Sequence, residues 1–342
     1  MRDTRRSALR AAARAVLAGL TFACASPATQ PSAPGETLRT SQSERRDVRF
    51  ACGDVRCAAW LYLPSGVERP PLVVMGHGLG CTRNMLVEPF ANRFVSRGLA
   101  VLVFDYRYFG DSEGTPRQLI RIEDQLSDWR SALAYARTLP EVDPQRIGIW
   151  GTSFGGGHAL MTAADEPDVR ATIALVPFLD GTAGEGAGLG FGLRALGSAL
   201  SDRTRRALGF SPYYIPVVGP PGTFAAINTE TAYRAVQELV PTELGWRNEM
   251  TAGVMLSIGG YRPITRAAEI RSPLLVIAAR EDGLIPFPLN ETLVKTAPKA
   301  TLSAFDGNHF SAYGGKIFDE MITVQVDFMA QHLGAGGASA GQ

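Results

Sequence analysis

A chain of 342 residues with 34 basic and 33 acidic side chains carries a formal net charge of +1. That balance argues against a nucleic-acid partner, which favours a strongly basic face. Its 45% hydrophobic content is ordinary for a globular protein, and a chain this long buries roughly 70–75% of its unfolded surface, enough for one large core. No run of about 18 apolar residues occurs, so no transmembrane span is expected.

Residues 1–25 read as an export signal. Arg2, Arg5, Arg6, Arg10 and Arg14 make a basic start, and Ala15 to Ala23 (AVLAGLTFA) has the length of an apolar signal core. Thr4 to Leu9 (TRRSAL) resembles a twin-arginine signal, with Ala8 where that motif prefers an aromatic residue. Ala23-Cys24-Ala25 offers a cleavage site, while Thr21 to Cys24 resembles a weak lipobox that would make Cys24 a lipid anchor. The protein is therefore expected to be exported (periplasmic, secreted or lipid-anchored), with a disordered tail on a cytoplasmic chain as the alternative. Residues 26–45, rich in Pro, Ser, Thr and Gly, cannot repay their ordering entropy by burial and read as a linker; 334–342 reads as a flexible tail.

Two strand-like runs follow, Val48 to Ala51 and Cys57 to Leu63, joined by a turn-like Gly53 to Arg56. A four-residue loop there would set Cys52 and Cys57 opposite each other within disulfide reach; two reduced thiols are the alternative. Pro71 to Met75, Leu99 to Phe104, Ile147 to Trp150, Ala171 to Val176 and Pro273 to Ala279 are apolar without alternation, as strands buried on both faces are. Ala300 to Phe305 is a weaker last strand. Between them, helices are predicted over Pro89–Arg97, Ile122–Thr138, Phe154–Ala164, Asn290–Thr296 and Lys316–His332. In the second of these, Ile122, Leu126, Trp129, Leu133 and Ala136 form the apolar stripe, with Asp124, Asp128 and Arg130 off it. The alternation predicts a doubly wound α/β sheet. Residues 178–266 break it: they contain no confident strand and read as a mostly helical insertion over the strand ends.

The chemistry concentrates in Gly151-Thr152-Ser153-Phe154-Gly155, directly after a strand and opening a helix. A nucleophile on such a turn needs a strained backbone, and the flanking glycines remove side chains that would collide with it. The helix N-terminus behind Ser153 presents free N–H groups to developing negative charge. His77-Gly78-Leu79-Gly80 follows an earlier strand, so the Leu79 and Phe154 N–H groups are the expected oxyanion donors, with His77 stiffening the loop. A base and an orienting carboxylate must lie downstream. Only His158, His309 and His332 follow Ser153. His158 lies on the helix of Ser153, facing away, and His332 near the terminus, which leaves His309 in a glycine-containing loop. Asp282, after the Pro273–Ala279 strand, is the expected acid, with Glu281 and Asp306 as rivals. Cys81 reads as a packing residue. No Cys/His cluster has zinc spacing, and no metal or cofactor is called for.

HGLG, DYRYFGDSEG (Asp105 to Gly114), GTSFGGG, EDGLIP and GNHF, in that order, resemble the α/β-hydrolase superfamily over roughly residues 46–333. Within it the chain is similar to bacterial esterase-like and dienelactone-hydrolase-like members with a helical lid. The resemblance implies a mainly parallel eight-stranded sheet, the 178–266 insertion as lid, Ser153, Asp282 and His309 as a triad, and Leu79 and Phe154 as oxyanion donors. It implies hydrolysis of a small-molecule acyl substrate, or acyl transfer on the same scaffold; a silent binding module is the remaining alternative. The glycine-rich, apolar Gly186 to Leu200 suggests an acyl or aromatic substrate met by Phe191 and Leu193.

Overall fold

The apolar runs are strands because the sheet they form is covered on both faces. The computed structural model describes residues 37–39, 43–183 and 188–335, the first three by backbone alone. The expected export signal, Cys24 and most of the C-terminal tail lie outside these residues.

In chain order the elements are β1 (Thr37–Arg39), β2 (Ser43–Cys52), β3 (Val55–Pro64), β4 (Leu72–Gly76), α1 (Glu88–Ser96), β5 (Ala100–Phe104), α2 (Ile122–Thr138), β6 (Ile147–Thr152), α3 (Phe154–Asp165) and β7 (Ala171–Leu175). There follow α4 (Leu189–Ala207), β8 (Tyr214–Ile215), α5 (Glu230–Leu239), β9 (Met250–Thr251), β10 (Leu274–Ala279), α6 (Phe287–Thr296), β11 (Ala300–Phe305) and α7 (Gly315–Leu333). The main sheet has the order β1-β2-β3-β5-β4-β6-β7-β10-β11. Its first three strands are antiparallel, and from β5 to β11 every neighbouring pair is parallel. These are the eight strands of the α/β-hydrolase sheet with the three-residue β1 added at one edge. Residues 37–39 and 43–45, within the expected linker, are thus strand: pairing of β1 with β2 and of β2 with β3, and for the latter side-chain bonds such as Arg45 to Glu88 at 3.3 Å, supply the ordering that composition alone does not.

Alternate residues of each central strand enter two apolar cores. Leu72 and Val74 of β4 pack toward Trp129, Leu133 and Leu160 of α2 and α3, while Val73 and Met75 pack toward Phe90, Phe94 and Met329 of α1 and α7. At the end of α1, Gly98 takes φ +82° and its N–H donates to the Val95 carbonyl, closing the helix in the left-handed turn that glycine enters without strain.

Two local readings are corrected. The β2–β3 turn has two residues, Gly53 and Asp54, not four, so Cys57 sits opposite Phe50 and Cys52 opposite Val55. The cysteines are diagonal neighbours on one face, with Cα atoms 5.7 Å apart, and are joined by a disulfide. Asp128, expected off the buried stripe of α2, is completely buried. It accepts hydrogen bonds from the Arg107 N–H at 2.9 Å and the Arg107 Nε at 2.7 Å. Burial raises its pKa to about 6, against the opposing pull of Arg107.

The segment between β7 and β10 is mostly helical. It carries α4, α5, several short 3₁₀ turns and the two-stranded β8–β9 pair, which the sequence did not announce. Among the described residues no helix is long and apolar enough to cross a membrane.

Candidate active site

Parallel strands deliver their C-terminal ends to one edge of the sheet, where ligand sites of open α/β folds form. Four connections meet there: those after β4, β6, β10 and β11. Ser153 follows β6 directly with φ +53° and ψ −120°, as the residue immediately preceding α3. The neighbouring glycines are required by contacts: a Cβ on Gly151 would overlap the Gly155 carbonyl, and one on Gly155 would overlap the His77 carbonyl. The elbow is thus tight both against its own helix and against the loop after β4. Gly156 and Gly157 accommodate the close approach of Pro177 and Phe178, just beyond β7.

His309 Nε2 lies 3.1 Å from Ser153 Oγ. Its Nδ1–H donates to Asp282 Oδ2 at 2.7 Å, which fixes the tautomer and leaves Nε2 as an acceptor toward the hydroxyl. The other carboxylate oxygen, Asp282 Oδ1, accepts from the Leu284 and Ile285 N–H groups at 2.8 and 2.9 Å. The turn after β10 therefore aims the carboxylate, and the side chains of both Asp282 and His309 are almost wholly buried, at 2% and 4% exposure. The rivals stand elsewhere. Glu281 is exposed, and Asp306, with an 88% exposed side chain, faces Arg280 at 3.2 Å on the surface.

Of the remaining histidines, His77 is buried with Nδ1 3.1 Å from the Gly78 carbonyl, an internal brace of its loop as expected. His158 is fully buried. Its Nε2–H donates to Gln125 at 2.9 Å and its Nδ1 accepts from the Tyr261 hydroxyl at 2.6 Å. Burial lowers its pKa to about 3. The folded state holds His158 neutral, whereas an unfolded His takes up a proton below about pH 6.5. Stability from this site is therefore complete above pH 6.5 and declines as pH falls toward 3, by roughly 1.4 kcal/mol per unit at most. Denaturant unfolding between pH 7 and pH 4 should show a shallower loss for His158→Gln than for the wild type. Parallel curves would refute this origin.

The connection after β4 lies beside the serine. A Cβ on Gly78 would sit 3.5 Å from Ser153 Cβ, and Leu79 lines the cavity in front of it. Cys81 is a wall of the same cavity and burial raises its thiol to about 12, so it is a packing residue and no rival nucleophile. Asp105 accepts from the Arg83 N–H at 2.6 Å and pairs with the Arg83 guanidinium, which also reaches Asp111 at 2.6 Å, consistent with structural parts for both acids.

The cavity has a volume of about 70 Å³ and its outer wall comes from the β7–β10 segment: Val217, Val218, Ile227, Val236, Val240 and Trp246. Phe191 and Leu193, expected to meet the substrate, do not line it. Phe191 meets Phe224 with ring centroids 5.3 Å apart and the rings tilted, and Leu193 is 60% exposed. Sequence reasoning missed Trp246. Its indole N–H donates to the Gly80 carbonyl at 2.8 Å, and Gly80, at φ +65°, packs against Val217. Nothing local to Trp246 marks it, since its partner is 166 residues away.

This sheet, with a serine elbow at its carboxyl edge, defines the class of α/β-hydrolases. Residues 68–308 match the family described as serine aminopeptidase, S33, and the chain belongs to it. The quorum-quenching protein AidA of Acinetobacter baumannii is 40% identical over 296 residues, covering 86% of this chain and 97% of that one. The thiohydrolase aneE of Aspergillus aculeatus is 26% identical, covering 80% and 88%. The crystal structure of α/β-hydrolase GrgF from Penicillium sp. sh18 superimposes with a TM-score of 0.75 over 85% of this chain and 99% of that one. At 24% identity that likeness is one of fold.

Proposed function

We propose that the protein is a serine hydrolase that cleaves a carboxylic ester, thioester or lactone by way of an acyl group on Ser153. The observation that carries this reading is the hydrogen-bonded line Ser153–His309–Asp282, set on a strained elbow at the floor of an apolar cavity. His309 takes the proton of Ser153 as the oxygen attacks the acyl carbonyl. Asp282 holds the ring and stabilises the imidazolium. The negative oxygen falls to the Leu79 and Phe154 N–H groups. His309 then protonates the leaving group, and water activated by the same ring releases the acid. The segment that walls the cavity acts as the lid in this scheme, and its valines favour an apolar acyl group over a sugar or phosphate. The name of one relative, a thiohydrolase, agrees with this chemistry.

The test is a panel of p-nitrophenyl esters and acyl thioesters of graded chain length, with and without added alcohol or amine. Free acid released without an acceptor is the expected result. Product formed only with an acceptor would make the protein an acyltransferase. No turnover, together with no labelling of Ser153 by a fluorophosphonate, would leave a silent binding module.

A further inference from the structure

Large apolar side chains on the surface are concentrated in one place. Among the described residues, nine are markedly exposed, and seven of these fall between residues 189 and 213. On α4, Leu189, Leu193, Leu196 and Leu200 follow one another at intervals of four, three and four, which places them on a single face of the helix. They are 81%, 60%, 46% and 51% exposed. Leu208 and Phe210, 66% and 63% exposed, prolong the patch beyond the helix end. The opposite face of α4, Ala195, Ser198, Ala199 and Asp202, is the one buried against the protein. Among the described residues, the leucines therefore point away from the body of the protein.

The charges on this segment are predominantly basic, although Glu123 of α2 lines the same surface hollow as Arg203 and Arg206. Arg194, Arg203 and Arg205 are exposed, and none pairs with a carboxylate among the described residues. Asp202 is the only acid from 188 to 213, and it is spent internally on Arg206 at 3.0 Å and on the Tyr213 and Gly253 N–H groups. At about 100° per residue, Arg203 borders the leucine stripe directly, while Arg194 and Arg205 lie about 130–150° round the helix from it, with Arg194 over the Phe224 ring and Arg205 Nε donating to the Ser211 carbonyl. An apolar face on a basic helix is the pattern of a helix lying in a bilayer interface, with leucines among the acyl chains and guanidiniums reaching anionic headgroups. A second copy meeting this face through its own α4 would instead bring two predominantly basic helices together.

We propose that the outer face of α4 is a docking surface for anionic lipid bilayers. The surface is built from residues that line no part of the cavity, so it does not rest on the chemistry at Ser153. The experiment is sedimentation of the full-length chain with phosphatidylcholine vesicles, with and without phosphatidylglycerol. Wild type is expected in the pellet with phosphatidylglycerol, less so at raised salt. Leu196→Glu/Leu200→Glu should reduce partitioning by roughly tenfold or more. Arg203→Glu/Arg205→Glu should abolish the preference for phosphatidylglycerol. Unchanged circular dichroism and melting midpoint would show that the variants fold. The apolar residues 15–23 are common to all three proteins, so differences between them belong to α4. Equal pelleting of wild type and the leucine variant would overturn the proposal, as would absence of wild type from every pellet. A wild-type dimer that the leucine variant dissociates, with neither recruited to vesicles, would assign the face to a second copy.

Discussion

Ser153→Ala is expected to abolish ester hydrolysis while leaving the melting midpoint within a few degrees of wild type. The side chain lost is one oxygen, so packing is nearly untouched, and the strained φ of +53° is no worse for alanine than for serine. The chemistry has no substitute. His309 Nε2 would face a methyl group, and Cys81, the other nucleophilic atom in the cavity wall, is held protonated by burial with its thiol at about 12. Removing the nucleophile of a serine triad costs on the order of 10⁶ in kcat, and what survives comes from the oxyanion donors and binding. Burst and steady-state kinetics on the purified variant check this. Turnover within about a hundredfold of wild type would mean that another group attacks the acyl carbon.

The second large effect is at Asp282. Asp282→Asn keeps the shape and can still accept the Leu284 and Ile285 N–H groups on its remaining oxygen. The atom facing His309 Nδ1 would then be an NH₂, which either repels the ring N–H or forces the other tautomer. In that tautomer the proton sits on Nε2, and the ring can no longer accept from Ser153. The same change in a serine protease triad costs about 10⁴ in rate, and a loss of roughly 10³-fold or more in kcat is expected here. Asp306→Asn, on an 88% exposed side chain whose partner is Arg280, should stay within a few-fold of wild type. If Asp306→Asn is the crippled enzyme and Asp282→Asn is not, the hydrogen bond at 2.7 Å has no catalytic meaning.

Much of this molecule could be read from residues alone, and the reason is physical. β4, β5, β6, β7 and β10 are buried on both faces, so each is an uninterrupted apolar run that no surface helix imitates. The residues that converge on the carboxyl edge were legible for a related reason: each follows its strand by a few positions, so finding the strand finds the residue. What stayed hidden depends on distant partners. Asp128 looks like a solvent residue until Arg107, 21 positions earlier, folds against it. β8 and β9 have two residues each, too short for any periodicity, and 34 residues separate them. The turn at Gly53-Asp54 was a missed local signal, since a glycine–aspartate pair between strands is a common two-residue hairpin turn. The leucines of α4 misled differently: spacing reports that they share a face, not which way that face looks.

The bond between Trp246 and the Gly80 carbonyl has a consequence for how the enzyme trades selectivity against speed. The cavity wall is tied, through one indole and the contact of Val217 with Gly80, to the loop after β4, one residue beyond Leu79, the proposed oxyanion donor. In the proposed reaction, a bulky substrate that pushes the wall outward pulls on that loop, and an oxyanion donor displaced by a fraction of an ångström loses much of its worth. Poorly fitting substrates are then expected to lose turnover as well as affinity. A broadened cavity obtained by reshaping this wall carries the same penalty unless the tether to Gly80 is rebuilt with it.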